Sequence, residues 1–396
     1  MLLPKLVYDQ EFFERLVPEY VNSIYPVFPI IDETELRSAI GEIHANPQSA
    51  ALVYAAFAIT INHTRTTFPG FGEEYHEDVV RMLMGRALDS RGPIRTGKSV
   101  TIPIIMVDAF LSSVLVALDE IEIAWFYLRE AITLAMIMRL SDEERMKSYD
   151  LRQRAQRQRL YWLLFIHERF VAVNFQRVCQ LSPLYTYPEN DGALGEEVYQ
   201  GFIQIIKNFS IIDENFVSAY LGDKTYIDKH WLEAKQQDVL ALETGLDALQ
   251  LSSMMRADLS ITQQWLKIVL WKMAMARYRL DLNLEAGPMS LLFPIEIARR
   301  LHAIVTTISL RDISVHGCSL IQKLFELTIA ISDVIILIPA QQLQESEQRI
   351  QSYLRISDFL FKQPTVRPLQ KDLLAEKVQN VKKGIFPNYQ PSPISY

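Results

Sequence analysis

Apolar residues recur at helical spacing along most of the chain. In residues 10–24 they fall three or four positions apart: Phe12, Phe13, Leu16, Val17, Tyr20, Val21 and Ile24. This spacing places them on one face of an α-helix and predicts an amphipathic helix. Similar patterns predict helices over 32–44, 47–63, 73–90, 102–118, 120–139, a long helix to about 175, then 196–220, 228–249, 257–282, 294–311, 317–338, 341–361 and 369–383. Because no segment alternates as a strand does, we predict an all-α fold: a large, irregular multi-helix domain with no significant β-sheet.

Capping and breaking residues divide this pattern. Asp32 with Glu35, and Ser141 with Glu144, have the spacing of capping boxes that begin helices. The clearest break is LSPLYTYPENDGALG, residues 181–195, with two prolines and two glycines. We therefore predict an N-terminal helical half over 1–183, a linker or loop over 184–195, a C-terminal helical half packed on the first over 196–384, and a loose tail over 385–396.

Composition agrees with a helical chain that buries a large core. Of the 396 residues, 49% are apolar and 22% are charged, and glycine occurs only 14 times. The net charge of −7 disfavours a chain built mainly to coat nucleic acid, although it leaves a local basic face open. The two cysteines, Cys179 and Cys318, cannot build a disulfide framework or a cysteine-based zinc site, and they indicate a reducing compartment.

The most apolar late stretch, residues 325–339, contains Glu326 and Asp333. It is shorter than the roughly 20 residues that a membrane-spanning helix needs. We interpret it as a buried helix and expect a soluble, intracellular protein with no membrane partner.

The segment RGPIRTGKSV contains Gly92-x-x-x-x-Gly97-Lys98-Ser99, which is the spacing of a phosphate-binding loop. In such a loop a buried strand leads into the glycine turn, and the following helix N-terminus holds the phosphate. Here the residues before the motif have a helical period. The only apolar run ending in an acid, residues 104–108, comes directly after it, where the loop's own helix would have to lie. We interpret the segment as a helix–helix connection and keep phosphate binding by these four residues as the less favoured alternative.

Four arginines occur in LRQRAQRQRLYW, residues 151–162. On a helix Arg152 and Arg159 share a face while Arg154 and Arg157 lie elsewhere, so they form no single stripe along a phosphate backbone. We expect a solvated helix segment whose charges pair with acids just upstream, namely Asp142, Glu143, Glu144 and Asp150.

The sequence contains no recognisable catalytic constellation. His167-Glu168 begins a zinc-protease motif, but Val171 stands where the second histidine belongs. The seven histidines include no pair at ligand spacing on one helix face, and no Gly-x-Ser-x-Gly elbow occurs. A lone cysteine is most often a small core residue. We therefore expect no enzyme, no catalytic residue, no metal ligand and no cofactor in this chain.

Three segments, read together, resemble a known family. They are IYPVFPIIDETEL (24–36), AWFYLREAITLAMIMRLSDEE (124–144) and RQRLYWLLFIHERFVAVNFQRVCQLSP (157–183). In order and spacing they resemble the regulatory, or middle homology, region of fungal binuclear zinc-cluster transcription factors, over roughly residues 8–190. Glu168-Arg169 after YWLLF is nearest to activators of sugar and polysaccharide metabolism. In that family the place of RGPIRTGKS is a variable connection between two helices.

The resemblance implies an all-helical regulatory domain of a nuclear transcription factor that works by conformational change and protein contact. Its implied partners are transcriptional co-regulators or a second copy of the chain, and a small-molecule inducer. Family members begin with a six-cysteine zinc cluster that binds DNA, and this chain has none. We therefore expect a fragment or a member without its own DNA-binding module, which reaches DNA only indirectly or through a missing N-terminal module. Zinc is expected only if an upstream cluster exists in the parent protein.

The most characteristic segment also predicts candidate binding residues. Tyr161, Trp162, Leu164, Phe165 and Phe170 cover more than one face of their helix, which is therefore expected to be buried. Charges inside such a helix need partners.

We expect Glu168 and Arg169 to fasten this helix to another one. The alternative is an inducer cavity lined by these two residues and Trp162. Two other functions remain open from the sequence: a helical-repeat scaffold that binds protein partners, and a nucleotide-binding protein that uses residues 92–99.

Overall fold

The computed structural model describes residues 9–66, 75–94, 100–222, 227–282, 284–309, 312–313, 315–338 and 343–385. Within these ranges the chain is helical and contains no β-strand. Pairing of the β type is limited there to an isolated bridge between Asp281 and Ser290. The predicted all-α fold class is confirmed.

The chain divides into two units, Met1–Leu221 and Gly222–Tyr396. The α-helices of the first unit are α1 (Gln10–Glu19), α2 (Glu33–Gly41), α3 (Pro47–Thr64), α4 (His76–Arg91), α5 (Ile102–Ala117), α6 (Ile121–Ile137), α7 (Glu143–Met146), α8 (Leu151–Phe175), α9 (Glu196–Ser210) and α10 (Glu214–Tyr220). Those of the second are α11 (Lys229–Gly245), α12 (Ser253–Arg277), α13 (Phe293–Thr307), α14 (Gly317–Leu337), α15 (Leu343–Phe361) and α16 (Pro368–Ile385).

The capping box predicted at Asp32 and Glu35 is confirmed. The Asp32 carboxylate accepts from the Glu35 backbone N–H at 3.0 Å, and the Glu35 carboxylate accepts from the Asp32 N–H at 3.2 Å. These two bonds satisfy N–H groups that the first turn of a helix leaves without partners. They fix the start of α2 directly after the proline-rich turn.

The capping box predicted at Ser141 and Glu144 is wrong. The N-cap residue is the neighbouring Asp142, whose carboxylate accepts from the Arg145 N–H at 3.1 Å. The short helix α7 then ends, and the long helix α8 begins at a second cap, Asp150, which accepts from the Gln153 N–H at 2.8 Å. Aspartate competes well with serine for this role because its carboxylate is a strong acceptor at a helix N-terminus.

Helix α8 lies in the core of the first unit. The aromatic and aliphatic residues predicted to be buried are at most 7% exposed: Tyr161, Trp162, Leu164, Phe165 and Phe170. They lie on several faces of the helix, so α8 is packed all round rather than along one stripe. This burial makes the buried charged residues of α8, namely Arg159, Glu168 and Arg169, depend on partners supplied by the protein.

The second unit has its own core, in which α12 and α14 carry many of the buried residues. Trp265, Leu266 and Ile268 of α12 have no exposed surface. The apolar stretch predicted to be a buried helix lies largely within α14, where Leu327 and Ile331 are fully buried. None of the described helices is both long and apolar enough to span a bilayer.

The segment between α8 and α9, residues 176–195, is bonded to α8 within the first unit. The Tyr161 hydroxyl donates to the Ser182 carbonyl at 2.8 Å, and the backbone N–H of Glu189 donates to the Gln158 side chain at 3.0 Å. The division between the units therefore comes later in the chain than the break at 184–195. Helix α16 ends at Ile385, and the predicted tail beyond it lies outside the described residues.

Candidate functional site

Glu168 is a fully buried carboxylate held by four donors. One oxygen accepts from the Arg129 guanidinium at 3.0 Å and from the Gln180 backbone N–H at 2.8 Å. The other accepts from Arg169 at 2.9 Å and from the Leu181 N–H at 2.9 Å. Because a buried charge is costly without such partners, this arrangement ties α8, α6 and the α8–α9 segment together.

Arg169 is also fully buried, and its guanidinium binds backbone as well as Glu168. Its Nε donates to the Ile212 carbonyl at 3.0 Å, and one Nη donates to the Leu181 carbonyl. The guanidinium carbon lies 4.2 Å from the centre of the Phe165 ring, within range of a cation–π contact. Arginine suits this place because its planar fork directs several donors at once.

A second buried ion pair lies two to three turns earlier on α8. Arg159 donates to the Asp191 carboxylate at 2.9 Å and to the Pro29 carbonyl at 2.8 Å. Arg159 is 4% exposed, and the Asp191 side chain is 1% exposed. Arg159, Glu168 and Arg169, with the groups that they bind, are called the α8 joint below.

The other polar residues of α8 extend the same pattern towards its N-terminus. Arg152 pairs with Asp32, and the Gln156 amide donates to the Ile30 carbonyl at 3.1 Å and to Glu35 at 2.9 Å. Arg152 and Arg159 thus contact residues 29–32 from one face of the helix, as the spacing predicted.

The partners predicted for these arginines are wrong for three of the four. Arg152, Arg154 and Arg159 pair with Asp32, Glu189 and Asp191 rather than with the acids just upstream. The segments 24–32 and 184–191 lie against α8 and supply the carboxylates that pair with these arginines. Asp142 and Asp150 instead accept backbone N–H bonds as the N-caps of α7 and α8.

The segments that carry the family resemblance meet in this region. Residues 29–32 lie on the N-terminal half of α8, and Arg129 of the second segment binds Glu168 of the third. The segments that carry the resemblance therefore include residues that hold distant parts of the first unit together.

A surface pocket of about 390 Å³ opens beside the N-terminal half of α8. It is lined by Leu140, Ser141, Glu143, Met146, Lys147, Arg154, Gln158, Leu184, Thr186 and Glu189. Of the three binding residues predicted from the sequence, Trp162 lies behind its wall and donates from Nε1 to the Thr186 carbonyl at 3.2 Å. Glu168 and Arg169 bind protein groups instead and are enclosed in the α8 joint.

The segment that matched a phosphate-binding loop is flanked by helices. Helix α4 precedes it and ends at Arg91, with Gly92 as its C-cap at φ 62°, and α5 follows from Ile102. A glycine suits this C-cap because it adopts positive φ without strain. The element that leads into Gly92 is therefore a helix, whereas a phosphate-binding loop takes a strand there; Gly97, Lys98 and Ser99 lie outside the described residues.

Asp108, the acid that follows the motif, is part of a buried ion pair. It accepts from Arg91 at 2.5 Å, and the same guanidinium nitrogen donates to Glu130 at 3.0 Å. Burial raises the pKa of Asp108, and the Arg91 guanidinium opposes this rise. These contacts fasten the end of α4 to α5 and α6.

Cys179 lies beside the α8 joint, where its thiol donates to the Glu168 carbonyl at 3.9 Å. Burial raises the pKa of this thiol to about 12. Because the thiolate is the reactive form of cysteine, this environment disfavours a nucleophilic role. Within the described ranges, no group of three or more His, Cys, Asp or Glu side chains is placed to hold a metal ion.

Several members of the α8 joint could not be found from the sequence. Arg129 lies in a segment that carries the resemblance, which is a signal in its favour, but Asp191 lies in an irregular loop. The carbonyls of Pro29, Leu181 and Ile212 are backbone groups, which every residue carries, so no sequence letter marks them.

The fold and the α8 joint define an all-α protein whose buried ion pairs fasten one central helix to several distant segments. Its curated relatives include two maltose fermentation regulatory proteins and a respiratory transcription factor of yeast, so the resemblance predicted from the sequence is confirmed. No family model matches the chain.

The individual relatives include proteins named for sugar use. The chain is 24% identical over 341 residues to a probable sucrose utilization protein of Candida albicans, covering 84% of this chain and 66% of that protein. It is 23% identical over 339 residues to a maltose fermentation regulatory protein of Saccharomyces cerevisiae, covering 84% of this chain and 68% of the relative. It is 22% identical over 241 residues to a respiratory transcription factor of Saccharomyces cerevisiae, covering 59% and 49%. The chain thus spans about two thirds of the length of the first two relatives.

Proposed function

We propose that this chain is the regulatory region of a nuclear fungal transcription regulator that responds to a carbohydrate signal. It acts by changing its contacts with other proteins rather than by catalysis. DNA is reached through a separate module, such as the zinc cluster that the family resemblance implies, or through a partner. Co-regulators or a second copy of the chain are the partners that this role requires.

Two observations support the proposal. The residues that resemble the regulatory region are joined around α8, with Arg129 bound to Glu168 and Arg159 bound to Asp191 and the Pro29 carbonyl. Two relatives that match 84% of the chain are named for sucrose use and for regulation of maltose fermentation. A helix joined to several segments by a few buried ion pairs is suited to switching, because a ligand that favours one arrangement of these pairs shifts all the segments together.

A reporter assay tests this proposal. The full 396-residue chain is fused to an unrelated DNA-binding module in yeast, and a reporter gene carries the matching operator. We expect nuclear fusion protein and reporter output that differs between cells grown with maltose or sucrose and cells grown without them. Output that is the same with and without these sugars would overturn the proposal.

A further inference from the structure

We propose that the pocket beside α8 binds a neutral, hydroxyl-rich small molecule of one or two sugar rings. The inference rests on the proposed function, because it assigns the carbohydrate signal to a place in the chain. The pocket's volume of about 390 Å³ lies near the lower end of the roughly 300–1,000 Å³ typical of small-molecule sites. Such a volume is too small for a dinucleotide and suits a compact polyol.

The charges of the lining cancel. Glu143 and Glu189 supply two negative groups, and Lys147 and Arg154 supply two positive ones. Arg154 and Glu189 are already paired through two parallel bonds of 2.6 and 2.8 Å. A bound anion would have to compete with Glu189 for the guanidinium, whereas a neutral ligand leaves this bidentate pair intact. The lining therefore favours a ligand without net charge.

The remaining lining groups match the two kinds of surface that a sugar presents. Ser141 and Thr186 carry hydroxyls, and Gln158 carries an amide that donates to the Thr186 hydroxyl at 3.4 Å. Leu184, a half-buried side chain of the lining, offers apolar contact to C–H groups, and the buried Leu140 and Met146 complete the apolar part of the lining. Polar groups that both donate and accept, beside a small apolar surface, suit a ligand rich in hydroxyl groups better than they suit a purely apolar ligand.

The wall of the pocket is also connected to the α8 joint. Thr186 and Glu189 belong to the α8–α9 segment, which Trp162 and Gln158 hold against α8. Two residues beyond Glu189, Asp191 forms the buried pair with Arg159. A ligand that bridges this wall and α8 stabilises the segment in its bound position, which gives the signal a route into the joint.

Calorimetric titration of the full chain with maltose and with sucrose tests the site. We expect saturable binding of at least one of these sugars by the unmodified chain. Ser141→Trp fills the pocket from its rim and is expected to lower affinity at least tenfold. Ser148→Trp is the matched control, since Ser148 is exposed on the neighbouring turn and is not part of the lining. It is expected to leave affinity unchanged.

A milder variant keeps the test decisive if Ser141→Trp fails to fold. Thr186→Val removes one hydroxyl from an exposed position at similar size and is expected to weaken binding about fivefold, as for one lost hydrogen bond. Circular dichroism and thermal melting of each variant report its folding. In the unmodified chain, glucose 6-phosphate and inorganic phosphate are expected to bind more weakly than the neutral sugar.

Three results would overturn the site. They are absence of maltose and sucrose binding at millimolar concentration, equal affinity in Ser141→Trp and Ser148→Trp when both are folded, and tighter binding of the phosphorylated or inorganic anion. If sugar binding fails while the reporter still responds to sugar, only the site is wrong. If the sugar binds in the pocket while the reporter stays constant, the proposed regulatory function is wrong.

Discussion

At the residue scale, the buried charges of α8 have little tolerance for substitution. Glu168 accepts four bonds with no exposed surface, and two of the donors are guanidinium groups. Breaking a buried pair by removing one member is strongly destabilising, because the other charge stays buried without compensation. These residues therefore matter more for stability than the many exposed ion pairs of the chain, which contribute little.

Arg169→Met tests this directly. It removes the bonds to Glu168, to the Ile212 carbonyl and to the Leu181 carbonyl while keeping an unbranched side chain. We expect the free energy of unfolding to fall by about 3–5 kcal/mol. Arg355→Met, the same change at an exposed position of α15, is expected to stay within about 0.5 kcal/mol. Urea denaturation measures both, and equal losses in the two variants would contradict the role of the joint.

His167 makes the free energy of unfolding depend on pH, in a direction that follows from its lowered pKa. Burial, helped by the nearby His63, lowers the pKa of His167 to about 4. In the unfolded chain the pKa is about 6.5, so as the pH falls the unfolded chain takes up the proton first. The stabilising contribution is present above about pH 6.5 and is lost as the pH falls towards 4.

His167→Phe is expected to remove this part of the pH dependence while keeping an aromatic ring beside Phe28. Between pH 7 and pH 5, the unmodified chain should lose about 1–2 kcal/mol more stability than the variant. His44→Gln, at an exposed position, should keep the original slope. Urea denaturation at both pH values measures this, and parallel losses in all three proteins would refute the assignment.

At the scale of elements, hydrophobic spacing predicted where most helices lie, and N-cap residues set where they begin. The helix predicted over 47–63 is α3, Pro47–Thr64, because Asn46 and Pro47 mark its start clearly. The helix predicted over 257–282 is α12, Ser253–Arg277. It begins earlier than predicted because Ser252 is its N-cap. The segment predicted as one helix over 196–220 divides because Asp213 caps a new helix, α10.

The candidate site was predictable only in part, for a physical reason. Glu168 and Arg169 stand in an apolar run, so their burial and their need for partners follow from the sequence. Their actual partners include the Leu181 and Ile212 carbonyls and the Leu181 N–H, which depend on how the irregular segments around these two residues lie against α8. Such contacts are set by tertiary packing and leave no periodic signal in the sequence.

The α8–α9 segment supplies the prediction at this scale. Asp191→Asn removes the charge that pairs with Arg159, a side chain that is 4% exposed. We expect faster amide hydrogen exchange in residues 183–194, by about tenfold, and a smaller increase in residues 26–31, because Arg159 also holds the Pro29 carbonyl.

The matched control is Asp247→Asn, whose carboxylate is 98% exposed. It should leave exchange in both segments unchanged. Hydrogen exchange followed by mass spectrometry resolves the segments. Unchanged exchange in Asp191→Asn would show that other contacts hold the α8–α9 segment.

At the scale of the whole molecule, the described chain is an all-helical pair of units, each with its own core. The α8 joint and the pocket both lie in the first unit. Its relatives match across both units, since about 84% of the chain aligns with the sucrose and maltose proteins. The described helices range from 4 to 25 residues, which gives no fixed repeat unit of the kind a helical-repeat scaffold requires.

The most direct test asks whether the α8 joint is needed for the response of the reporter to maltose. The measurement is the ratio of reporter output with and without maltose, at equal fusion-protein amounts, for the unmodified chain, Arg129→Met and Arg355→Met. Arg129→Met removes one donor from Glu168 and leaves the other three in place. We predict a ratio different from one for the unmodified chain and for Arg355→Met, and a ratio near one for Arg129→Met. A ratio of one in the unmodified chain, or the same ratio in all three proteins, would contradict regulation through the α8 joint.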